Sequence, residues 1–165
     1  QLALESSNTP SMLVLSRQKL KQVRKDLSTE NRCSYGAYEL LRTKDKIDIT
    51  ILATGSEINL ACEVSHKLAT ENIYSKVVSV PCHELLEKQS DNYKEKILKE
   101  TKYKVSIEAG STNTWEKFVG KKGISFGINT FGKSAPFNDL FKYFGLTSNN
   151  LLKKIKEMIN KKLWP

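Results

Sequence analysis

Near the middle of the chain, Ile47-Asp48-Ile49-Thr50-Ile51-Leu52-Ala53-Thr54 is β-branched and almost continuously apolar. A strand wetted on one face alternates apolar with polar residues, whereas one covered on both faces has no reason to. The run therefore predicts a central parallel strand. Directly behind it, Thr54-Gly55-Ser56-Glu57 matches a capping box, an oxygen-bearing cap with Glu three residues later. The helix it opens carries Ile58, Ala61, Cys62, Ser65, Leu68 and Ala69 on one face at helical spacing. A doubly buried strand that runs straight into an amphipathic helix restricts the fold to an α/β sheet covered on both sides.

The remaining sequence repeats this alternation. Residues 35–41 read as a strand ending in a Lys/Asp turn at 43–46, and residues 76–80 as a strand stopped by Pro81. Two short helical stretches follow, around 83–88 and 91–99, then a strand at 104–108 that ends at Ala109-Gly110. A helix over 112–119 leads into a strand at 124–128, and helices near 137–143 and 148–162 complete the chain. The last helix turns Leu151, Leu152, Ile155, Met158 and Ile159 inward and Lys153, Lys154, Lys156, Lys161 and Lys162 to water. The sheet domain thus spans about 35–165. Upstream, Thr9-Pro10 introduces Met12-Leu13-Val14-Leu15, a short buried-strand pattern, so residues 1–18 read as the end of a different, preceding domain. Residues 19–34 are polar and charged, keep no core period, and read as a connector.

Charge and cysteine usage narrow the function classes. Lys and Arg number 27 against 18 acidic residues, a net charge of +9. Of the basic residues 23 are Lys and only four are Arg (Arg17, Arg24, Arg32 and Arg42), scattered rather than interleaved with aromatics. Sequence readers and single-strand binders favour the Arg fork and stacking rings, so this pattern speaks against nucleic acid. No apolar run approaches the roughly 20 residues of a membrane span. The start, Gln1-Leu2-Ala3-Leu4-Glu5, lacks the basic and apolar regions of a signal peptide, and with no initiator Met it reads as a fragment or a processed product. Cys33, Cys62 and Cys82 form no CxxC pair, and His66 and His83 add too few ligands for structural zinc. Free thiols in a reducing compartment, the cytoplasm, are the simplest reading.

Several motifs carry chemistry and a plainer alternative. Gly55-Ser56-Glu57 sits where helix N–H groups can hold an anion, but there is a single Gly and no P-loop Lys, and Glu57 would repel phosphate. Glu108, at the carboxyl end of a strand, is either an acid/base or a structural hydrogen-bond acceptor. The stretch 130–136, TFGKSAP, either wraps a ligand or sets Pro136 at the first turn of a helix. His66 reads as exposed; His83, beside Cys82, is a poor nucleophile partner because adjacent residues rarely face one another. Arg17, in Ser16-Arg17-Gln18 at the carboxyl edge of an apolar strand, is either a bidentate clamp for an anion or a structural salt bridge.

Taken in order, TPSMLVLSRQ (9–18), GAYEL (36–40), ILATGSEINLA (51–61), KVVSVPC (76–82), VSIEAG (105–110), the stretch 115–120, INTFGKSAP (128–136) and FGLTSNNL (144–151) resemble the carboxyl-terminal part of transketolase. The ordered set covers almost the whole chain and is far more specific than any one segment. Other thiamine enzymes, such as the pyruvate dehydrogenase β subunit, share the fold but not the SRQ, ATGSE, EAG and TFGKSAP series.

The resemblance implies a three-layer α/β/α sandwich with a mixed, mostly parallel five-stranded sheet. It implies an enzyme that moves a two-carbon ketol unit between phosphosugars in the pentose phosphate pathway, a homodimer using thiamine diphosphate and Mg2+ (or Ca2+). Residues 1–18 then end the pyrimidine-binding domain, and Arg17 matches the family arginine that contacts the sugar phosphate. The family's GDG-type cofactor motif, catalytic Glu and active-site His residues have no counterpart in this sequence. The expectation is therefore no catalytic, cofactor-binding or metal residue in this segment, which packs, supports dimerisation and is inactive alone. The competing expectations are a stand-alone regulatory or small-ligand module using the sheet edge near Gly55, Gly110 and Gly132, and a basic nucleic-acid binder.

Overall fold

The computed structural model describes residues 1–25 and 28–160; Lys161 and Lys162, assigned above to the last helix, lie outside the described residues. Five strands form one sheet: β1 (Tyr38–Arg42), β2 (Ile49–Ala53), β3 (Ser75–Ser79), β4 (Tyr103–Ile107) and β5 (Ile124–Phe126). Their order is β1-β3-β2-β4-β5, with β1 antiparallel to β3 and every other pair parallel. Every residue of β2 is buried, as a strand covered on both faces requires.

The helices are α1 (Leu2–Glu5), α2 (Glu57–Thr70), α3 (His83–Glu87), α4 (Asp91–Leu98), α5 (Glu116–Val119), α6 (Phe137–Tyr143) and α7 (Ser148–Asn160). The expected helix at 112–119 divides into a 3-10 turn, Thr112–Trp115, and α5. Strand alternation sorts the core into two layers. Ile49, Ile51 and Ala53 of β2 point to α2 and α7, packing with Leu68, Leu151 and Ile155. Leu52 points the other way, to Leu86, Ile97 and Trp115 beneath α3, α4 and α5. The result is a three-layer α/β/α sandwich with a mixed five-stranded sheet.

One expectation fails. Residues 12–15 form no strand: Met12, Leu13, Val14 and Leu15 are 74–87% exposed and have no sheet pairing. A strand needs a neighbour for its N–H and C=O groups, and the described residues offer none at this place. The first sheet strand also begins at Tyr38 rather than residue 35, because Arg32–Tyr35 is a 3-10 turn closed by Gly36 at φ +74°.

A polar network also escapes any sequence pattern. Lys76, on β3, is fully buried, and its ammonium donates to the Lys96 carbonyl at 2.9 Å and to Glu100 at 2.8 Å. Arg42, on β1, forks onto both oxygens of Glu100 at 2.7 and 2.8 Å and onto both of Glu39 at 2.8 and 2.7 Å. The network ties the antiparallel edge strand to the loop before β4.

Candidate functional site

The parallel register sets Ala53 opposite both Ser79 and Ile107. The next residues, Thr54, Val80 and Glu108, therefore leave the sheet at one level. Because β3 and β4 lie on opposite sides of β2, their connecting helices diverge to opposite faces, and a crevice opens at these carboxyl ends. The crevice is a cleft of about 580 Å³, walled by residues 54–57, 80–84 and 108–109, with Met12, Val14, Leu15 and Ser16 along its outer side.

Three motifs that are far apart in sequence meet here. Glu57 is turned inward and only 4% exposed. Ser56 Oγ donates to its carboxylate at 2.5 Å, and the Ala109 N–H donates to it as well. The expected capping box is thus not formed. Ser56 already has helical backbone angles, φ −64° and ψ −28°, and its hydroxyl is used on Glu57 instead of a helix N–H. Burial above all, with the nearby Glu108 charge, pushes the Glu57 carboxyl above its usual range against the pull of those hydrogen bonds.

A carboxyl raised on folding favours the protonated native state, so its stabilisation is full below the unfolded value of 4.5 and lost as pH rises through the folded one. Glu57→Gln should therefore gain thermal stability relative to the parent as pH is raised from 4 to 7. Parallel melting curves that keep a constant separation over that range would remove this reading of Glu57.

Glu108 accepts a hydrogen bond from Trp115 Nε1 at 2.5 Å, with the indole buried under it. That contact is the one the second alternative, a structural hydrogen-bond acceptor, calls for. His83 is half-buried and packs edge-on against Trp115 (ring centroids 4.6 Å apart) and Phe118 (4.8 Å). Burial pushes its imidazole below the usual range, and the Glu108 charge opposes that. The Cys82 thiol donates to Glu84 at 3.3 Å rather than to His83, so no Cys–His nucleophile is assembled.

Glu57, Glu84 and Glu108 give the cleft wall three carboxyl groups and no Lys or Arg. Such a wall disfavours an anion, which rules against phosphate binding at Gly55-Ser56-Glu57. Among the described residues, no group of three or more His, Cys, Asp or Glu side chains is placed to hold a metal ion. Arg17 follows Ser16 at the cleft's outer side; it is exposed and carries no hydrogen bond or ion pair among the described residues.

Other candidates lie elsewhere. His66 is exposed on α2. Residues 129–136 form a surface loop anchored by Asn129, whose Oδ1 accepts from the Thr112 N–H at 3.0 Å and hydroxyl at 3.1 Å. Pro136 sits just before the first residue of α6 rather than in its first turn. Sequence reading missed Glu84 at the cleft and the contact of Trp115 with Glu108, since Glu84 belongs to no motif and only the placing of β3 and β4 on either side of β2 brings these residues to the sheet edge.

A family model described as the transketolase-like C-terminal domain matches residues 36–147. The transketolase of Sinorhizobium medicae is 39% identical over 162 residues, covering 98% of this chain and 23% of that protein. The crystal structure of transketolase from Campylobacter jejuni superposes with a TM-score of 0.75 at 33% identity, covering 86% of this chain and 21% of that one. The Pichia stipitis transketolase in complex with sedoheptulose-7-phosphate gives a TM-score of 0.70 at 35% identity, covering 76% of this chain and 18% of that one. The chain spans about a quarter of the length of the curated relatives it matches.

Proposed function

Because the chain belongs to the transketolase family and corresponds to its C-terminal domain, we propose that it is the carboxyl-terminal segment of a transferase moving a two-carbon ketol unit between phosphosugars. The family match over residues 36–147, two-thirds of the chain, is the observation that carries this reading. In it, residues 1–18 end the pyrimidine-binding domain, 19–34 connect, and 35–165 form the C-terminal domain. The exposed run Met12–Leu15 supports that division, since four adjacent apolar side chains gain most from a sheet supplied by a neighbouring domain.

The segment's work is then packing, support of a homodimer, and supply of Arg17 to the substrate phosphate. A guanidinium free of carboxylate partners among the described residues supports the last role, for its paired donors match a phosphate edge. The working enzyme uses thiamine diphosphate and Mg2+ (or Ca2+) in the cytoplasm, a setting in keeping with three free thiols. The residues of this chain do not suit that cofactor: the cleft at the sheet edge presents carboxyl groups to any diphosphate. We assign no chemical step to them, and expect the isolated chain to show neither ketol transfer nor thiamine diphosphate binding. Micromolar cofactor affinity in calorimetry would overturn that expectation.

The residue-level test is Arg17→Ala in the full enzyme. Charge-assisted hydrogen bonds contribute about 1.5–3 kcal/mol, so kcat/KM for a phosphorylated donor should fall about ten- to a hundredfold. The loss should lie mainly in KM, because the phosphate is remote from the reacting carbonyl and held alike in ground and transition states. Hydroxypyruvate, which has no phosphate, should be nearly unaffected, and Arg17→Lys should restore only part of the loss. Equal losses on both donors would make Arg17 structural.

A further inference from the structure

A second cavity, with a chemistry of its own, lies away from the sheet edge. It is a groove of about 890 Å³ between α2, α6 and residues 19–21, within the roughly 300–1,000 Å³ of small-molecule sites. Its lining divides in two. One part is cationic: Lys19 and Lys21 from the segment before α2 and Lys142 from α6, with His66 of α2 also in the lining. Among the described residues no carboxylate pairs with any of these three lysines within ion-pair distance, whereas six other lysines are so paired.

The one acid in the wall, Glu63, is already engaged. Ser148 Oγ donates to it at 2.5 Å, the main cause that holds its carboxyl below the usual range, and Lys67 lies 3.0 Å away. The groove therefore presents an excess of positive charge, three lysines against the single Glu63 carboxylate, which Ser148, Lys67 and the Lys21 charge already stabilise. Its other part is apolar and aromatic: Phe137 and Phe141 pack with ring centroids 4.1 Å apart, Phe137 is 39% exposed, and Leu20 and Leu60 flank them. Asn59 and Asn138 add amide donors and acceptors between the two parts.

From this juxtaposition we propose that the groove binds a small organic anion carrying a flat ring, of the size and chemistry of a nucleoside monophosphate. The ring packs on Phe137 while the anionic end faces Lys142 and the lysines of the 19–21 segment. A purely apolar occupant makes no use of the three exposed cations, and a bare anion leaves the aromatic face wet. Only a ligand with both ends satisfies the whole lining. The inference does not rest on the role given to Arg17, which is not among the residues lining the groove.

Isothermal titration of this chain with adenosine monophosphate, adenosine and inorganic phosphate tests it. Adenosine monophosphate should bind, with adenosine and phosphate each at least about tenfold weaker, and its affinity should fall as salt is raised. Lys142→Glu and Phe137→Ala alter exposed side chains and leave the core intact. The first should cost about tenfold or more in affinity for the monophosphate, and the second should abolish its preference over phosphate. Binding no tighter than that of phosphate, or indifference to both variants, would overturn the proposal. So would amide shifts that map the ligand to the cleft at Glu57 and Glu108 instead of to Asn59, His66 and α6.

Discussion

Gly36→Ala should unfold this domain or lower its melting temperature by about 10 °C or more. Two costs add at this residue. Its φ is +74°, a left-handed conformation that costs an L-residue about 1–2 kcal/mol. A Cβ would also stand 2.0 Å from the Leu86 backbone nitrogen and 2.6 Å from the Cys82 carbonyl oxygen. Those atoms are backbone and cannot swing aside, so overpacking adds about 1–3 kcal/mol or more. The sum is a large part of the about 5–15 kcal/mol that holds a typical domain together. Gly55→Ala separates the two causes. Its φ is +54° but no atom lies within 4 Å of the added Cβ, so it should pay the conformational cost alone. Thermal melts followed by circular dichroism decide the matter. Equal melting temperatures for the two variants would mean that the close approach of α3 to Gly36 does not limit stability.

Glu100→Gln should destabilise the fold by about 3 kcal/mol, the lower end of what breaking a buried ion pair costs, because Glu100 itself keeps about a third of its side chain in water. The reason lies in its partner: Lys76 is fully buried, and without the Glu100 charge its ammonium keeps only neutral acceptors, the Lys96 carbonyl and the Gln amide oxygen. Lys76→Met combined with Glu100→Gln removes the stranded charge and should recover most of the loss. A double variant as unstable as Glu100→Gln alone would show that the ion pair is not the cause.

Acid should act on the same network. The Arg42 fork and the Lys76 ammonium hold the Glu100 carboxyl at about 2, below its ordinary 4.5. A lowered acid stabilises the fold fully above 4.5, and that stabilisation is lost as pH falls from there through about 2. The parent's advantage over Glu100→Gln should shrink over this window.

Much of the fold could be read before the structure. The unbroken apolar run at 47–54 required burial on both faces, and Ile49–Ala53 is buried throughout. The helical spacing from Ile58 to Leu68 placed α2, and Leu151, Ile155 and Met158 placed α7. These are local periodicities, set by strand and helix geometry along the chain, and need no knowledge of neighbours. His66 is exposed, as its place on the outer face of α2 implied.

Pairing was not legible in this way. Met12–Leu15 has the composition of a strand, yet a strand exists only where another supplies hydrogen bonds, and nothing in four residues states whether one is there. The capping box at Thr54–Glu57 was read from spacing, but burial drew the Glu57 side chain inward to Ala109, 52 residues on in the chain. Lys76, Glu100 and Arg42 each look like ordinary surface charge in sequence and meet only because β1 pairs antiparallel with β3.

The sequence by itself determined the α/β class, the strand and helix succession and the family resemblance, because those follow from short-range periodicity and ordered motifs. Tertiary structure alone decided which carboxyl groups crowd the sheet edge, which lysine is buried and which lysines remain unpaired. Those depend on strand order and register, which bring residues far apart in the chain within a few ångströms.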